Sequence, residues 1–297
     1  MPGESEKNSI LFVVNGLGLG NATRCSAILE YLPATSCSIH VATSANGLRF
    51  FEASKQAHYL HALHQTSYGG AKESLNFLHV FAALGAFFFN GLRNSRRLFS
   101  ILRRTSPDVV ITDSNYNLIY YFFPHCQVVS LNNSSEIVRL GKKFSKTALR
   151  NAPQFAVEVS DSLFQRFFPH VVISPWPAAA HSRGLRHFCV PPIVRKNFTR
   201  PQAFPNALKK ILVLYSGSGI GADLHLGLED SRHLVTIVGR GATGVFDCSD
   251  ELRLCDVAVI TGGFSSISEC LACSRPMIII PIKGHAEQMM NALCIEE

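Results

Sequence analysis

The sequence predicts an α/β fold of two halves, each a doubly wound parallel sheet covered by helices. Three observations carry that expectation. Short Val/Ile-rich runs recur along the chain between turn residues, as strands buried on both faces do. Stretches of helical period separate them, and parallel strands need such crossovers. The pattern also starts twice, with a strand running into a glycine loop near residue 10 and again near residue 209.

In chain order, ILFVVN (10–15) reads as the first strand and ends in GLGLG (16–20), followed by a helical pattern from Ala22 to Leu32. SIHVATS (38–44) is the second strand. His58, His61 and His64 recur every third residue, as one helical face would, and read as surface or packing residues. The stretch 75–92, LNFLHVFAALGAFFFNGL, carries no Asp, Glu, Lys or Arg, and RNSRRLFSILRR follows it. It is short of the ~20 apolar residues that a membrane span needs, and Asn76, His79 and Asn90 interrupt it. It reads either as a buried helix pair or as an interfacial element. In the second reading Phe87, Phe88 and Phe89 meet the acyl boundary, and Arg93, Arg96, Arg97, Arg103 and Arg104 face phosphates. PDVVITDS (107–114), QVVSLNN (127–133) and HVVISP (170–175) continue the strand series.

Residues 188–210 hold four prolines and five basic residues and read as an interdomain connector. KKILVLYSGSG (209–219), HLVTIVGRG (233–241), CDVAVITGG (255–263) and RPMIIIP (275–281) then supply the strands of the second half. The expected division is a first domain over 1–190, a connector over 191–208 and a second domain over 209–297. The second is short, and NALCIEE stops in a helical pattern, which reads as a compact domain or as one lacking its last elements.

Composition narrows the classes. With 47% hydrophobic and 16% charged residues the chain can bury a large core, which excludes disordered, collagenous and low-complexity proteins. The 28 Lys+Arg against 21 Asp+Glu leave +7, which admits a nucleotide phosphate, a nucleic acid or an anionic membrane as partner. Basic residues are not interleaved with aromatics outside 87–104, so nucleic acid is disfavoured. Nine cysteines without a secreted-domain spacing, after the polar start MPGESEKNS, predict a cytoplasmic protein, with peripheral membrane contact if the Phe/Arg stretch is interfacial. Cys270 and Cys273 form a lone CxxC and read as core thiols, so no metal site is expected.

GLGLG is a turn whose amides can approach a polar ligand. It is not a dinucleotide fingerprint, because Thr23 stands at the helix glycine and HVATS ends without an acid. No GKS or GKT phosphate loop is present. Thr261 to Gln288 is more specific. Gly262 and Gly263 end a strand, and Ser265 and Ser266 open a helix whose free amides suit a diphosphate. Glu269, four residues after Ser265, shares that helix face and can accept from a ribose diol. The next strand ends at Pro281, and KGHAEQ follows at the same sheet edge, where open α/β sheets bind ligands.

TGGFSSISECLACSRPMIIIPIKGHAEQMMNA is similar almost end to end to the donor signature of the GT-B glycosyltransferases. It looks most like the family 28 and UDP-glucuronosyltransferase-like branch, which holds the lipid-intermediate N-acetylglucosaminyltransferase of cell-wall synthesis. NGLGLGNATR, PDVVITD and VPPIVR resemble that family's acceptor-side loop, inner strand and connector. The resemblance implies two Rossmann-like domains facing across a cleft and an inverting, metal-independent transfer from a nucleoside-diphosphate sugar, UDP-linked, with no cofactor. Ser216, Gly217, Ser218, Gly262, Gly263, Ser265 and Ser266 would hold the diphosphate. Glu269 would bind the ribose, Phe246 or its backbone would border the base, and Glu287 and Gln288 would reach sugar hydroxyls; His285, by its place in the same loop, reads as a donor-side contact. Gly16, Gly18 and Gly20 would form the acceptor-side loop, and a lipid or lipid-linked acceptor is expected if the Phe/Arg stretch is interfacial.

Two departures stand out. The family places His directly after the glycine loop as general base, oriented by an acid from a later strand; here the pair is Asn21 and Asp113. A neutral amide cannot take the acceptor proton. Either Asp113 serves as base, or the acceptor is acidic enough to need little help, or the protein binds a nucleotide sugar without transferring it, as a pseudo-enzyme or partner subunit. The chain also ends shortly after EQ-x-x-NA, where family members continue to a last helix. Sugar-nucleotide 2-epimerases share the architecture, but no additional acid/base set points to them.

Overall fold

The computed structural model describes residues 8–33, 35–65, 92–177, 181–198, 210–215, 234–239 and 247–296. Every run read as a strand forms one. The first sheet takes β1 (Asn8–Val14), β2 (Cys37–Thr43), β3 (Tyr59–Ala62), β4 (Val109–Asp113), β5 (Gln127–Leu131), β6 (Val171–Pro175) and the short β7 (His181–Ser182) and β8 (His187–Val190). Its eight strands run in the order β3-β2-β1-β4-β5-β6-β8-β7, all parallel except the β7–β8 pair. The second sheet is parallel, with four strands in the order β10-β9-β11-β12: β9 (Lys210–Leu214), β10 (Leu234–Val238), β11 (Val257–Ile260) and β12 (Met277–Ile279).

β1 shows why the fold is doubly wound. Alternate residues of a strand point to opposite faces, and both faces of β1 are covered. Leu11 and Val13 pack with Leu98, Ile101 and Leu102 of the helix α3 (92–105). Phe12 and Val14 pack with Ala22, Cys25 and Leu29 of α1 (Gly20–Leu29) and with Phe50 and Phe51 of α2 (Ala45–Ser54). Burying each such side chain is worth about 1.5–3 kcal/mol, which is what fixes the strand between its two layers. The strand order reverses between β1 and β4, where Val14 lies in register with Asp113. That switch point is where an open sheet parts its loops and leaves a crevice.

α4 (Ser134–Lys143), α5 (Ser145–Arg150) and α6 (Ala152–Phe167) follow β5, and α7 (Ser249–Leu254), α8 (Phe264–Ala272) and α9 (Ala286–Glu296) serve the second sheet. The two halves share a core: Ile137, Leu140, Ala148 and Trp176 from the first pack with Phe264 and Met290 from the second. Trp176 and Phe264 stack with centroids 5.6 Å apart. Between β8 and β9, the Lys196 ammonium and amide bond Glu30 of the first half, while Phe198 is buried in the core beneath the second sheet.

The three histidines do not share a helical face. His61 lies in β3, with His58 before the strand and His64 after it. The His58 Nδ1 accepts from the Ile39 amide, and the His61 ring stacks on His40. The Phe-rich stretch 75–91 lies outside the described residues. The five arginines that follow it are all exposed on α3, whose opposite face carries Leu98, Ile101 and Leu102 into the core. Among the described residues no helix is long and apolar enough to cross a membrane.

Candidate functional site

At the switch point Asp113 is fully buried, and Arg24 of α1 grips it. Nε of Arg24 donates to Oδ2 at 2.8 Å and Nη2 to Oδ1 at 2.5 Å, a two-pronged pairing that uses both carboxylate oxygens. The Cys25 thiol also points at Oδ2, 3.6 Å away. Burial alone would lower the Arg24 pKa, but the charge and hydrogen bonds of Asp113 outweigh it and raise it above the ordinary arginine value. Asn21 sits beside this pair, with its Oδ1 accepting from Arg24 Nη2 at 3.4 Å. The structure thus brings Asn21 and Asp113 together, but through Arg24, which engages both oxygens of the fully buried Asp113.

The glycine loop connects the two halves. A Cβ on Gly16 would lie 1.7 Å from the Ser44 carbonyl oxygen, so that glycine exists for close backbone packing. Gly18 borders open space. The Gly20 carbonyl accepts from Ser265 Oγ at 2.9 Å, which brings the start of α1 against the start of α8. Neither helix has a capping side chain or an acid in its first turn. Two sets of free amides and two positive dipole ends therefore converge at the carboxyl edges of both sheets. Gly262, at φ +83°, makes the turn into α8, and its carbonyl is held by Asn291 Nδ2 at 3.1 Å. Gly263 borders open space at the helix start, and Ser266 stays half-buried.

The remaining predicted donor residues take mixed positions. Glu269 is buried and accepts from Arg195 Nη2 at 3.0 Å, while Arg195 Nη1 meets Asp247 at 2.8 Å. Burial holds the Glu269 pKa above its ordinary value, opposed by Arg195. Gln288 is buried, with Oε1 accepting from the Ile282 amide at 3.0 Å, so it pins the loop before α9. His285 precedes α9, its Nδ1 buried without a partner and its pKa lowered by burial. Glu287 is half-buried in the first turn of α9. Ser216, Gly217, Ser218 and Phe246 lie outside the described residues. On the first sheet a cavity opens at the carboxyl edge, lined by Asn15, Ser44, His64, Asn94, Ser114 and Asn115 among others.

A family model described as "Glycosyl transferase family 1" matches residues 8–297. The chain belongs to that family. None of the curated proteins compared with this glycosyltransferase matches it. Solved structures do. The Streptomyces sp. SF2575 glycosyltransferase SsfS6 is 15% identical over 97% of this chain and 85% of its own, with a TM-score of 0.60. The calicheamicin glycosyltransferase CalG4 is 14% identical over 98% and 84%, with a TM-score of 0.62. TcCGT1, solved with UDP, is 12% identical over 98% and 84%, also at 0.62. A second SsfS6 structure holds thymidine diphosphate. These likenesses establish the GT-B fold of this glycosyltransferase, in agreement with the expected two-sheet architecture.

Sequence reasoning missed the residues that hold this glycosyltransferase's site together. Arg24 stood in the quoted NGLGLGNATR and Arg195 in VPPIVR, yet neither carries a local signal for a partner 89 or 74 residues away. Among the described residues one group has the make-up of a metal site, Glu136, His187 and Cys189. Arg139 and Arg183 already pair with Glu136, and their charge opposes a cation there.

Proposed function

We propose that this glycosyltransferase takes its sugar from a nucleoside diphosphate, UDP-linked, and transfers it with inversion and without a metal to an acceptor hydroxyl held against the first sheet. The observation that carries this reading is the meeting of the α1 and α8 starts at Gly20 and Ser265. Uncapped helix amides are preformed donors for a leaving diphosphate and need no reorganisation as its charge develops. In this reading Gly262, Gly263, Ser265 and Ser266 hold the diphosphate, together with Ser216, Gly217 and Ser218. Phe246 borders the base, and Glu269, fixed by Arg195, presents its second oxygen to the ribose. His285, Glu287 and Gln288 stand on the sugar side. The diphosphates bound by TcCGT1 and SsfS6 accord with such a donor.

Titration of the protein with UDP, thymidine diphosphate and their glucose conjugates tests the donor site; no binding at millimolar concentration overturns it. The exposed arginine face of α3 supports peripheral contact with an anionic membrane and a lipid-linked acceptor, and failure to bind anionic vesicles at low salt overturns that part. A second reading, a binding subunit without transfer, is favoured by one observation: Asn21 cannot act as base and Asp113 is engaged by Arg24. Activity that appears only in Asn21→His supports it.

A further inference from the structure

We propose that Glu158 of α6 is the general base of the transfer, in place of the histidine that position 21 lacks. The inference rests on the transferase reading above. α6 carries Gln154, Glu158, Asp161 and Gln165 at spacings of four, three and four, which puts them on one helix face. The partners of that face come from both halves. Gln154 Oε1 accepts from the amide of Ala286, the first residue of α9, at 2.8 Å. Asp161 accepts from Tyr116 Oη at 2.7 Å and from Asn132 Nδ2 at 2.9 Å, in the loops that leave β4 and β5. Glu158 stands between these two anchors, so it lies where the carboxyl edge of the first sheet faces the first turn of α9.

Its neighbours are committed and it is not. Among the described residues Glu158 has no hydrogen bond and no ion pair. Buried polar atoms around the same junction are also unpartnered: Oγ of Ser134 at the start of α4, Oε1 of Gln165 on the same stripe, and Nδ1 of His285 before α9. Ser134 and Gln165 are nearly inaccessible, at 1% and 5% exposure, which marks a place where a polar ligand or water is expected. The charges reaching Glu158 are negative, from Glu287 on α9 and from Asp161 on its own helix. α4, also packed on α6, gives its buried Glu136 to Arg139 and Arg183 and leaves Lys142 and Lys143 exposed, and α5 leaves Lys146 and Arg150 exposed. Burial first, then Glu287 and Asp161, hold the Glu158 carboxyl well above the usual carboxylate range.

The step balances. Glu158 carboxylate takes the proton of the acceptor hydroxyl as that oxygen bonds to the anomeric carbon. The bond from that carbon to the β-phosphate oxygen breaks, and its electron pair leaves with UDP toward the helix starts. The proton then passes from Glu158 to solvent.

Water can serve as acceptor, so UDP release from UDP-glucose and UDP-N-acetylglucosamine across pH 5–9 is the test, beside UDP affinity by calorimetry. Glu158→Gln is expected to lower kcat about 100- to 10,000-fold with UDP affinity and donor KM retained. The rising limb of the kcat–pH profile should disappear with it, Glu158→Asp should keep the limb, and formate should restore part of the rate of Glu158→Ala. A Glu158→Gln variant with wild-type kcat and profile overturns the base role and leaves the donor site standing. Wild type that binds UDP but releases none from either donor also overturns the base role. Wild type that binds no UDP overturns the transferase reading itself, and the base role with it.

Discussion

Asp113→Asn is expected to destabilise the protein by about 3–5 kcal/mol, although asparagine has the same shape. Both partners of the pair are nearly without exposure, 0% for Asp113 and 7% for Arg24, and the contacts are 2.5 and 2.8 Å. The substitution leaves the guanidinium as a buried cation with no counter-charge, and Arg24→Met leaves the carboxylate equally stranded. At roughly 2.1 cal/mol/K of unfolding entropy per residue, 297 residues give ~0.6 kcal/mol/K, so the expected fall in Tm is about 5–8 °C if the chain melts as one unit. The double variant Arg24→Met with Asp113→Leu removes both charges and should recover most of the loss, because apolar replacements of buried pairs are often neutral. The folded Arg24 pKa is raised, so its contribution is complete below the unfolded arginine value and is lost only as pH rises through the higher folded one. Calorimetry on the three variants at neutral pH and at pH 10 measures this. Single losses under about 1 kcal/mol, or a double variant as unstable as the singles added together, refute the buried-pair reasoning.

Gly16→Ala should fail to fold or lose several kcal/mol, because its Cβ would meet backbone at 1.7 Å, whereas Gly18→Ala has open space and should melt within about 1 kcal/mol of wild type. His40 is held at about 4 by burial, then by His61 and His58, so its contribution to stability is full above pH 6.5 and lost as pH falls toward 4. That difference is worth up to about 3 kcal/mol, and a urea titration of wild type against His40→Gln should show the slope between pH 6.5 and 4 flattening in the variant. Ser265→Ala removes the bond to Gly20 and should cost about 0.5–1.5 kcal/mol. It should also weaken UDP binding, which calorimetry reads directly. Glu158 has its folded pKa raised, so its contribution is full below the unfolded value and lost as pH rises; Glu158→Gln should therefore raise Tm at pH 8 and leave it unchanged at pH 4.

What the sequence revealed follows from what is local in it. Among the described residues the Val/Ile runs forecast every strand except β3, β7 and β8, because a strand buried on both faces must be apolar at every position, whereas those three are short and carry histidine. The segment from Gly262 to Ser266 was legible because a turn at positive φ and a helix start need those residue types in that order. The histidines misled because three-residue spacing is shared by a helix face and by a four-residue strand with its flanking turns. Glu269 and Gln288 read as ligand contacts, and the fold already uses one carboxylate oxygen of Glu269, through Arg195, and the amide oxygen of Gln288, through the Ile282 amide. No spacing rule reveals such pairs, since tertiary packing alone brings their elements together.

The carboxylates divide in a way that bears on mechanism. Among the described residues three are buried, and each is matched by arginine: Asp113 by Arg24, Glu136 by Arg139 and Arg183, and Glu269 by Arg195. An oxygen held by a guanidinium is a poor proton acceptor, because taking the proton breaks a charge-assisted bond in a buried setting. Among the described residues the acids facing the junction of α6 and α9 make no ion pair with an arginine, although the Arg24 charge reaches Glu287. Glu158 and Glu287 crowd one another and Asp161 instead. Burial first and then the nearby negative charges raise the Glu158 and Asp161 carboxyls above their ordinary values, at the edge where the first sheet ends. With both Asp113 oxygens held by Arg24, the proposed base is Glu158, and with that base an amide at position 21 leaves the transfer a proton acceptor.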